Sequence, residues 1–341
     1  MQSNGTRRIC KAEWYFFVDL LRALATALIT NSHYGSVYPI SILANGGLLG
    51  NIIFFAISGF CLSNIKLPFH KWYAKRLIRI YPIVWIVTSF NVIIGNWTIS
   101  SLADFFDVFV FPTQYHFIGS IMILYIPYYV FVLLSDKYAD KVKNKIDFTV
   151  LIFILTIATS LMIYLFGYDK SYYHIDTVEE PFIRFLYFES MLIGYYFKQN
   201  LACFENKKGK VKWIITVFLF VLYFASKIVF MKLPSISGFQ IFNQYAILGL
   251  LIGILMCATS ISGTLEKLPV WIKSIVSHIA RITLEIYVVQ YIIIARFSSL
   301  PFPVNWVVVT SIIILCGTIL HYIVKIPSII KDCTIKIDTQ F

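Results

Sequence analysis

The sequence predicts an all-α, polytopic integral membrane protein with about ten transmembrane helices and no soluble domain. Hydrophobic residues make up 59% of its 341 residues and the mean hydropathy is +0.77, far above the values of soluble domains. Phe, Tyr and Trp contribute 17%, which is typical of proteins with aromatic belts at both membrane interfaces. The ten apolar segments lie at about 14–34, 46–64, 78–98, 117–135, 148–167, 181–198, 211–231, 240–261, 279–299 and 303–325.

The positions of Lys and Arg orient these segments with both termini in the cytoplasm. With the N-terminus inside, the inner connections hold most of the 29 basic residues, and the outer side holds Lys170, Lys232 and, at a boundary, Arg296. Cytoplasmic loops carry an excess of Lys and Arg, and an odd number of spans would break this alternation. We therefore predict one membrane domain over 1–341 in the cytoplasmic (inner) membrane, with short inner segments at about 1–13 and 326–341.

Charge and cysteine usage exclude several other classes of protein. The net charge of +12 follows the membrane orientation, and no basic patch with a folded soluble context indicates a nucleic-acid partner. None of the six cysteines falls in a predicted outer loop. We therefore expect no disulfide, no metal cluster and no bound cofactor.

The first span carries three ionisable side chains, Asp19, Arg22 and His33. At about 100° and 1.5 Å per residue, Arg22 and His33 lie on one face of a helix, about 16 Å apart. Asp19 precedes Arg22 by three residues, within reach of an intrahelical ion pair. Ionisable groups in a membrane span usually face a bundle interior or a wet cavity, which favours a functional site. The plainer interpretation is an ion pair at the inner edge of the membrane and an interfacial histidine.

The third predicted span is preceded by a basic cluster that includes Lys75, Arg76 and Arg79. Arg76 and Arg79 are one helical turn apart at the predicted cytoplasmic side. Such a cluster often anchors a helix to anionic lipid. Alternatively, the paired guanidinium groups bind the phosphates of a cytoplasmic substrate, since their geometry suits phosphate oxygens.

Four further polar residues have both a structural and a functional interpretation. Ser58 is followed by Gly59, which lets a neighbouring helix approach closely, and a nucleophilic serine would need a base beside it. His116, at the head of the fourth span, is an interfacial or a site histidine. Glu189 and Glu285 lie deep in spans, and we expect them to pair with buried Arg or Lys in preference to a chemical role.

The outer loop at about 167–180 is rich in acidic and aromatic side chains, which weakly favours a rim facing a sugar. Its members are Tyr168, Asp169, Tyr172, Tyr173, His174, Asp176, Glu179 and Glu180.

Three motifs in the first three spans resemble the membrane acyltransferase 3 family. These are Arg22 followed ten residues later by His33, then Phe54-Phe55 leading to Ser58-Gly59-Phe60, and Lys75-Arg76-Leu-Ile-Arg79-Ile-Tyr81-Pro82. Weaker similarity continues through His116-Phe117, Tyr125-Ile-Pro127 and Gly194-Tyr195-Tyr196. The resemblance covers most of the chain and is specific in its first third.

The resemblance implies an O-acyltransferase that modifies surface polysaccharide in bacteria. It would transfer an acyl group, an acetyl in the first instance, from cytoplasmic acyl-CoA to a hydroxyl of O-antigen, capsule or exopolysaccharide. His33 would be general base or transient acyl carrier, and Arg22, held by Asp19, would position the donor or stabilise an oxyanion. The partners implied are acyl-CoA, a glycan or lipid-linked glycan acceptor, and membrane lipids.

One position departs from the family pattern, and two other functions remain open. Many members carry a histidine late in the chain where Gln290 stands here, so a role that needs that histidine is in doubt. A lipid-linked glycan flippase or other transporter would also carry intramembrane charges, although with more spans and internal repeats. A glycan polymerase would need a substantial outer loop.

Overall fold

The computed structural model describes residues 15–139, 145–172, 178–179, 181–205, 209–297 and 299–338, and this part of the chain contains helices and no β-strand. The longer helices are α1 (Phe16–Ser32), α2 (Gly47–Cys61), α3 (Phe69–Ile93), α5 (His116–Ala139), α6 (Lys145–Phe166), α7 (Ile183–Gln199), α9 (Val211–Lys232), α10 (Gln240–Ser260), α12 (Val270–Arg281), α13 (Thr283–Phe297) and α14 (Val304–Asp338). The short ones are α4 (Leu102–Phe105), α8 (Leu201–Glu205) and α11 (Ser262–Leu265).

The described helices make the chain a multi-pass membrane protein, but they do not confirm the predicted count of ten spans. By length and composition, seven helical stretches could cross a membrane, or eight if the bent pair α12 and α13 forms one span. The other two predicted spans correspond to α1 and α7, which have 17 residues each. At 1.5 Å per residue each covers about 26 Å, slightly less than a hydrocarbon core of about 30 Å.

Helix α1 packs against α2, α12 and α13, so it contacts elements from both halves of the chain. Its approach to α2 depends on Gly50. A Cβ atom there would lie 2.7 Å from the carbonyl oxygen of Ala25 and from the side chain of Ile29. Since no real Cβ atom packs so closely, glycine is required for this contact.

Helices α2 and α7 form the most extensive helix pair, and two glycines bring their backbones together. A Cβ atom at Gly59 would clash with the carbonyl of Met191, and one at Gly194 with the carbonyl of Ala56. Small residues allow this close approach in membrane helix pairs. The interpretation of Ser58-Gly59 as a packing motif is confirmed for Gly59, whose carbonyl also accepts a hydrogen bond of 2.6 Å from Tyr128.

The predicted span at 279–299 is broken, because α12 and α13 meet at a bend of 70°. Ile282, which joins them, is fully buried and leaves the helical conformation (φ −97°, ψ 18°). Helix α12 was not expected from the sequence. It leaves Val270, Trp271 and Ile275 exposed while packing against α1, as an amphipathic helix at an interface does.

Candidate functional site

The polar residues of α1 contact different helices at its two ends. We call the end that holds Arg22, Cys61, Arg76 and Lys198 the basic end, and the end that holds His33 and Tyr291 the histidine end.

At the basic end, Asp19 and Arg22 form the predicted ion pair only loosely. The distance from Arg22 Nη1 to Asp19 Oδ1 is 3.9 Å, at the limit of such a contact. Closer partners come from other helices, since Ser277 Oγ of α12 donates to Asp19 Oδ2 at 2.7 Å, and Arg22 Nη2 donates to Cys61 Sγ of α2 at 3.2 Å. Asp19 is buried and Arg22 half-buried, so the pair faces the bundle.

The predicted donor-binding residues lie on the first turns of α3 at the same end. The helix begins at Phe69 instead of near 78, so the basic cluster and the apolar segment belong to one helix. Lys75 and Arg79 are exposed, whereas Arg76 is half-buried with its guanidinium 5.4 Å from the centre of the Trp72 ring. Among the described residues, the buried Nε of Arg76 has no hydrogen-bond partner. That atom is a hydrogen-bond donor that the described residues leave unused.

Lys198, at the end of α7, adds a cation from a third helix to the basic end. Its Nζ donates to the Tyr15 hydroxyl at 3.2 Å and lies 5.2 Å from the centre of the Phe60 ring. Lys198 and Arg22 are both within electrostatic range of the Cys61 thiol. Three helices, α1, α3 and α7, therefore direct cations to one end of the bundle around the last residue of α2.

At the histidine end, His33 is exposed and caps α1. Its Nε2 lies 3.3 Å from the Tyr291 hydroxyl of α13, and the two rings meet edge to face with centres 4.8 Å apart. Tyr115 and Tyr287 pack around Tyr291, with ring centres 5.9 and 5.7 Å from it. An exposed imidazole held on an aromatic wall is able to exchange protons with a bound ligand.

Two hydroxyl groups connect α1 and α13 between the ends. Thr26 Oγ1 donates to Thr283 Oγ1 at 3.0 Å, and both side chains are buried. A cavity of about 20 Å³ adjoins them, lined by Thr26, Ile29, Thr30, Phe54, Phe117, Thr283, Leu284, Ile286 and Tyr287. It lies one helical turn before His33 on α1 and one turn before Tyr291 on α13. The structure thus keeps Arg22 and His33 apart, with this cavity at an intermediate level.

Gln290 is fully buried on α13, next to Tyr291 and one turn after Tyr287. Its side-chain amide lies beside the Tyr291 hydroxyl, but no well-aligned hydrogen bond satisfies its Oε1 or its Nε2 in the described part of the chain. Buried amides are almost always satisfied, so an orphaned one needs a water or a ligand as partner.

Neither of the two buried glutamates pairs with Arg or Lys among the described residues, so that prediction is wrong. Glu285 pairs with a histidine instead of Arg or Lys, at 2.6 Å between its Oε1 and Nδ1 of His321 on α14. Glu189 is 2% exposed and accepts a hydrogen bond of 3.3 Å from Ser160 Oγ, and the described residues include no Lys or Arg in contact with it. A hydroxyl and an imidazole each satisfy a buried carboxylate without a second permanent charge.

The remaining predicted site residues do not join either end. Ser58 is half-buried in α2, where its carbonyl accepts a hydrogen bond from the Leu62 amide. His116 begins α5 and is exposed, whereas its neighbour Tyr115 is the residue that packs into the aromatic wall beside His33. The sequence indicates His116 in this segment, whereas the aromatic wall is formed by Tyr115.

The predicted acidic and aromatic rim is described in part. Tyr168 accepts a hydrogen bond of 2.8 Å from the Glu179 amide, and burial raises the pKa of Tyr168 to about 12. Hydrogen bonds from the Ser171 hydroxyl and amide hold the pKa of Asp169 below its usual range. The other predicted rim residues, Tyr173, His174, Asp176 and Glu180, lie outside the described residues.

Comparison with known proteins decides the family. The model of the acyltransferase 3 domain, described as an acyltransferase domain, matches residues 15–324. The chain belongs to the acyltransferase 3 family. Neither the curated proteins nor the solved structures gave a match.

Within this acyltransferase 3 domain, several contact residues escaped sequence reasoning. Cys61, Ser277 and His321 are remote in sequence from the residues they touch, so no local pattern identifies them. Tyr291 could have been recognised from the sequence, because it follows Tyr287 by one helical turn and so lies on the same face of the helix. No group of three His, Cys, Asp or Glu side chains that could hold a metal ion occurs in the part of the chain described.

Proposed function

We propose that this acyltransferase moves an acetyl group from cytoplasmic acyl-CoA to a hydroxyl of a cell-surface glycan such as O-antigen, capsule or exopolysaccharide. The observation that carries the proposal is that the two ends of α1 hold different polar groups. Its first turns belong to a cluster of cations, the residue that caps its other end is an exposed histidine, and the chain is an acyltransferase.

In this proposal the basic end binds the phosphates of the donor. Lys75 and Arg79 are exposed to take them, and the orphaned Nε of Arg76 is a donor already placed at this end. Arg22, loosely held by Asp19, would position the donor or stabilise the oxyanion that forms at the thioester carbonyl. The long pantetheine arm of CoA would carry the thioester along α1 towards His33.

His33 acts in one of two ways, and each way accounts for the bonds that form and break and for the proton. As general base, its Nε2 removes the proton of the acceptor hydroxyl, the acceptor oxygen forms the new C–O bond, and the C–S bond to CoA breaks. As acyl carrier, Nε2 first bonds to the acyl carbon while the C–S bond breaks and the CoA thiolate leaves. The acceptor oxygen then forms the C–O bond as the C–N bond breaks, and the acceptor proton passes to the thiolate. In either case the proton ends on the CoA thiol. The Tyr291 hydroxyl would orient the ring, and the Gln290 amide would hydrogen-bond the acceptor or a water.

The proposal places the protein in the inner membrane of bacteria, with ten spans, both termini cytoplasmic and the basic end inside. The charge distribution of the sequence supports this orientation. No bound cofactor is required, because acyl-CoA is a substrate.

Labelled acetyl-CoA tests the function directly. Membranes that carry the protein and a glycan acceptor should transfer the label to glycan, whereas His33→Ala membranes with equal protein should lose transfer by at least about 10²-fold. His70→Ala is the matched control, because His70 is an exposed histidine at the other end of the bundle. Absence of transfer by the wild type, with movement of unmodified lipid-linked glycan, would identify a flippase instead. Acylated protein trapped with the donor alone would identify His33 as carrier.

A further inference from the structure

The small cavity between α1, α2, α5 and α13 has a position and size that suit one part of the donor. It lies on the side of His33 that faces the basic end, one helical turn from the imidazole, where a donor arriving along α1 would bring its acyl group. Its wall is formed by the side chains of Ile29, Phe54, Phe117, Leu284 and Ile286, with the hydroxyl side chains of Thr30 and Tyr287 at the level nearest His33.

We propose that this cavity binds the alkyl end of the acyl group and restricts the donor to acetyl. The inference rests on the proposed function and adds to it the site that selects the acyl chain. At about 20 Å³ the cavity holds one group the size of a water molecule, and a methyl group has that size. The thioester carbonyl then remains outside the cavity on the His33 side, and each further methylene would have to enter packed protein.

The walls of the cavity are fixed against expansion. Phe54 and Phe117 meet edge to face with ring centres 4.8 Å apart, and Phe117 packs in turn on Tyr287 at 5.3 Å. Opposite them, Ile286 is 3% exposed and lies against Gly317 of α14. A longer chain therefore cannot be accommodated by rotation of one side chain. One methylene in such a pocket changes selectivity by about 10-fold or more.

The test is a ratio of donors in the same membranes, so the amount of folded protein cancels. Transfer from acetyl-, propionyl- and butyryl-CoA to the glycan is measured for the wild type and for Phe54→Ala. We expect the wild type to use propionyl-CoA about 10-fold less well than acetyl-CoA, and Phe54→Ala to raise the propionyl-to-acetyl ratio by about 10-fold. Ile53→Ala is the matched control, because Ile53 precedes Phe54, is fully buried and does not line the cavity.

Leu284→Ala provides a second opening of the cavity from α13, should Phe54→Ala fail to insert. Equal use of acetyl- and butyryl-CoA by the wild type would overturn the inference, as would an unchanged ratio in an opened variant that still transfers acetyl. Either result would identify the cavity as a site for a water molecule. Failure of the wild type to transfer acetyl at all would instead overturn the proposed function.

Discussion

His33 and Arg22 contact different helices, and this separation determines what each can do. Arg22 bonds to Cys61 on α2, whereas His33 meets Tyr291 on α13, so neither acts directly on the other. Their spacing of eleven residues brings both to one side of α1 while keeping them about 16 Å apart. A substrate that reaches both must be extended, and acyl-CoA is such a molecule.

Tyr291→Phe should reduce turnover without affecting donor binding. The change removes one hydroxyl at 3.3 Å from His33 Nε2 and leaves the aromatic ring, so the imidazole loses an orienting contact. A hydrogen bond of about 0.5–1.5 kcal/mol corresponds to a loss of about 2- to 13-fold in kcat, with the KM for acyl-CoA unchanged. Tyr38→Phe is the control, since that hydroxyl donates to Asn31 at the same end without touching His33. A rise in KM with constant kcat would contradict the assignment.

Arg76→Lys and Arg79→Lys should each raise the KM for acyl-CoA. A lysine keeps the charge but loses the planar fork that binds phosphate oxygens, and the phosphates lie far from the reacting carbonyl. With about 1.5–3 kcal/mol for a hydrogen bond to a charged group, we expect an increase of about 10-fold or more at constant kcat. Lys71→Arg, an exposed change on the same helix, is the control. If the cluster only anchors the helix to lipid, charge-preserving variants will match the wild type.

At the scale of helices, composition predicted which segments are apolar but not how they bend or pair. The continuous apolar character after Thr283 hid the 70° break before it, because hydropathy is insensitive to a single residue leaving the helical conformation. Long-range partners such as His321 for Glu285 were equally hidden. By contrast, Gly59 was predictable as a contact, since a glycine in a membrane helix has few other reasons to be there.

Gly194→Ala should unfold the contact between α2 and α7. Its Cβ would collide with the backbone carbonyl of Ala56, which cannot rotate away as a side chain can. We expect about 1–3 kcal/mol of destabilisation, typical of overpacking, and a clear fall in thermal stability in detergent. Gly249→Ala is the matched control, because it lies within α10 and its Cβ would meet only Leu219 at 3.4 Å, while helix propensity improves. Equal stability of both variants would contradict this account of the packing.

At the scale of the whole molecule, α1 joins the two halves of the chain. It contacts α2 from the first half, and α12 and α13 from the second, and its ends hold the cation cluster and the histidine. If the basic end is cytoplasmic and the histidine end external, this one helix gives the enzyme access to donor and acceptor on opposite sides of the membrane. That arrangement requires α1 and α7 to cross the bilayer despite their length of 17 residues.

Reporter fusions on either side of α7 test the ten-span topology. Between Lys170 and Gly209 the only long helix described is α7. If α7 crosses the membrane, alkaline phosphatase fused after Lys170 lies outside and should be active. A fluorescent protein fused after Gly209 then lies inside and should fluoresce. A bilayer thins around a span that is too short, at a cost of a fraction of a kcal/mol per Å, and flanking polar and aromatic side chains reach the interface. A mismatch of about 4 Å therefore does not prevent insertion. Fusions after Lys66 and Ser100 serve as the control pair, because they flank α3, which is long and apolar enough to cross a membrane. The same reporter signal at Lys170 and Gly209 would show that α7 does not cross and would contradict the ten-span topology.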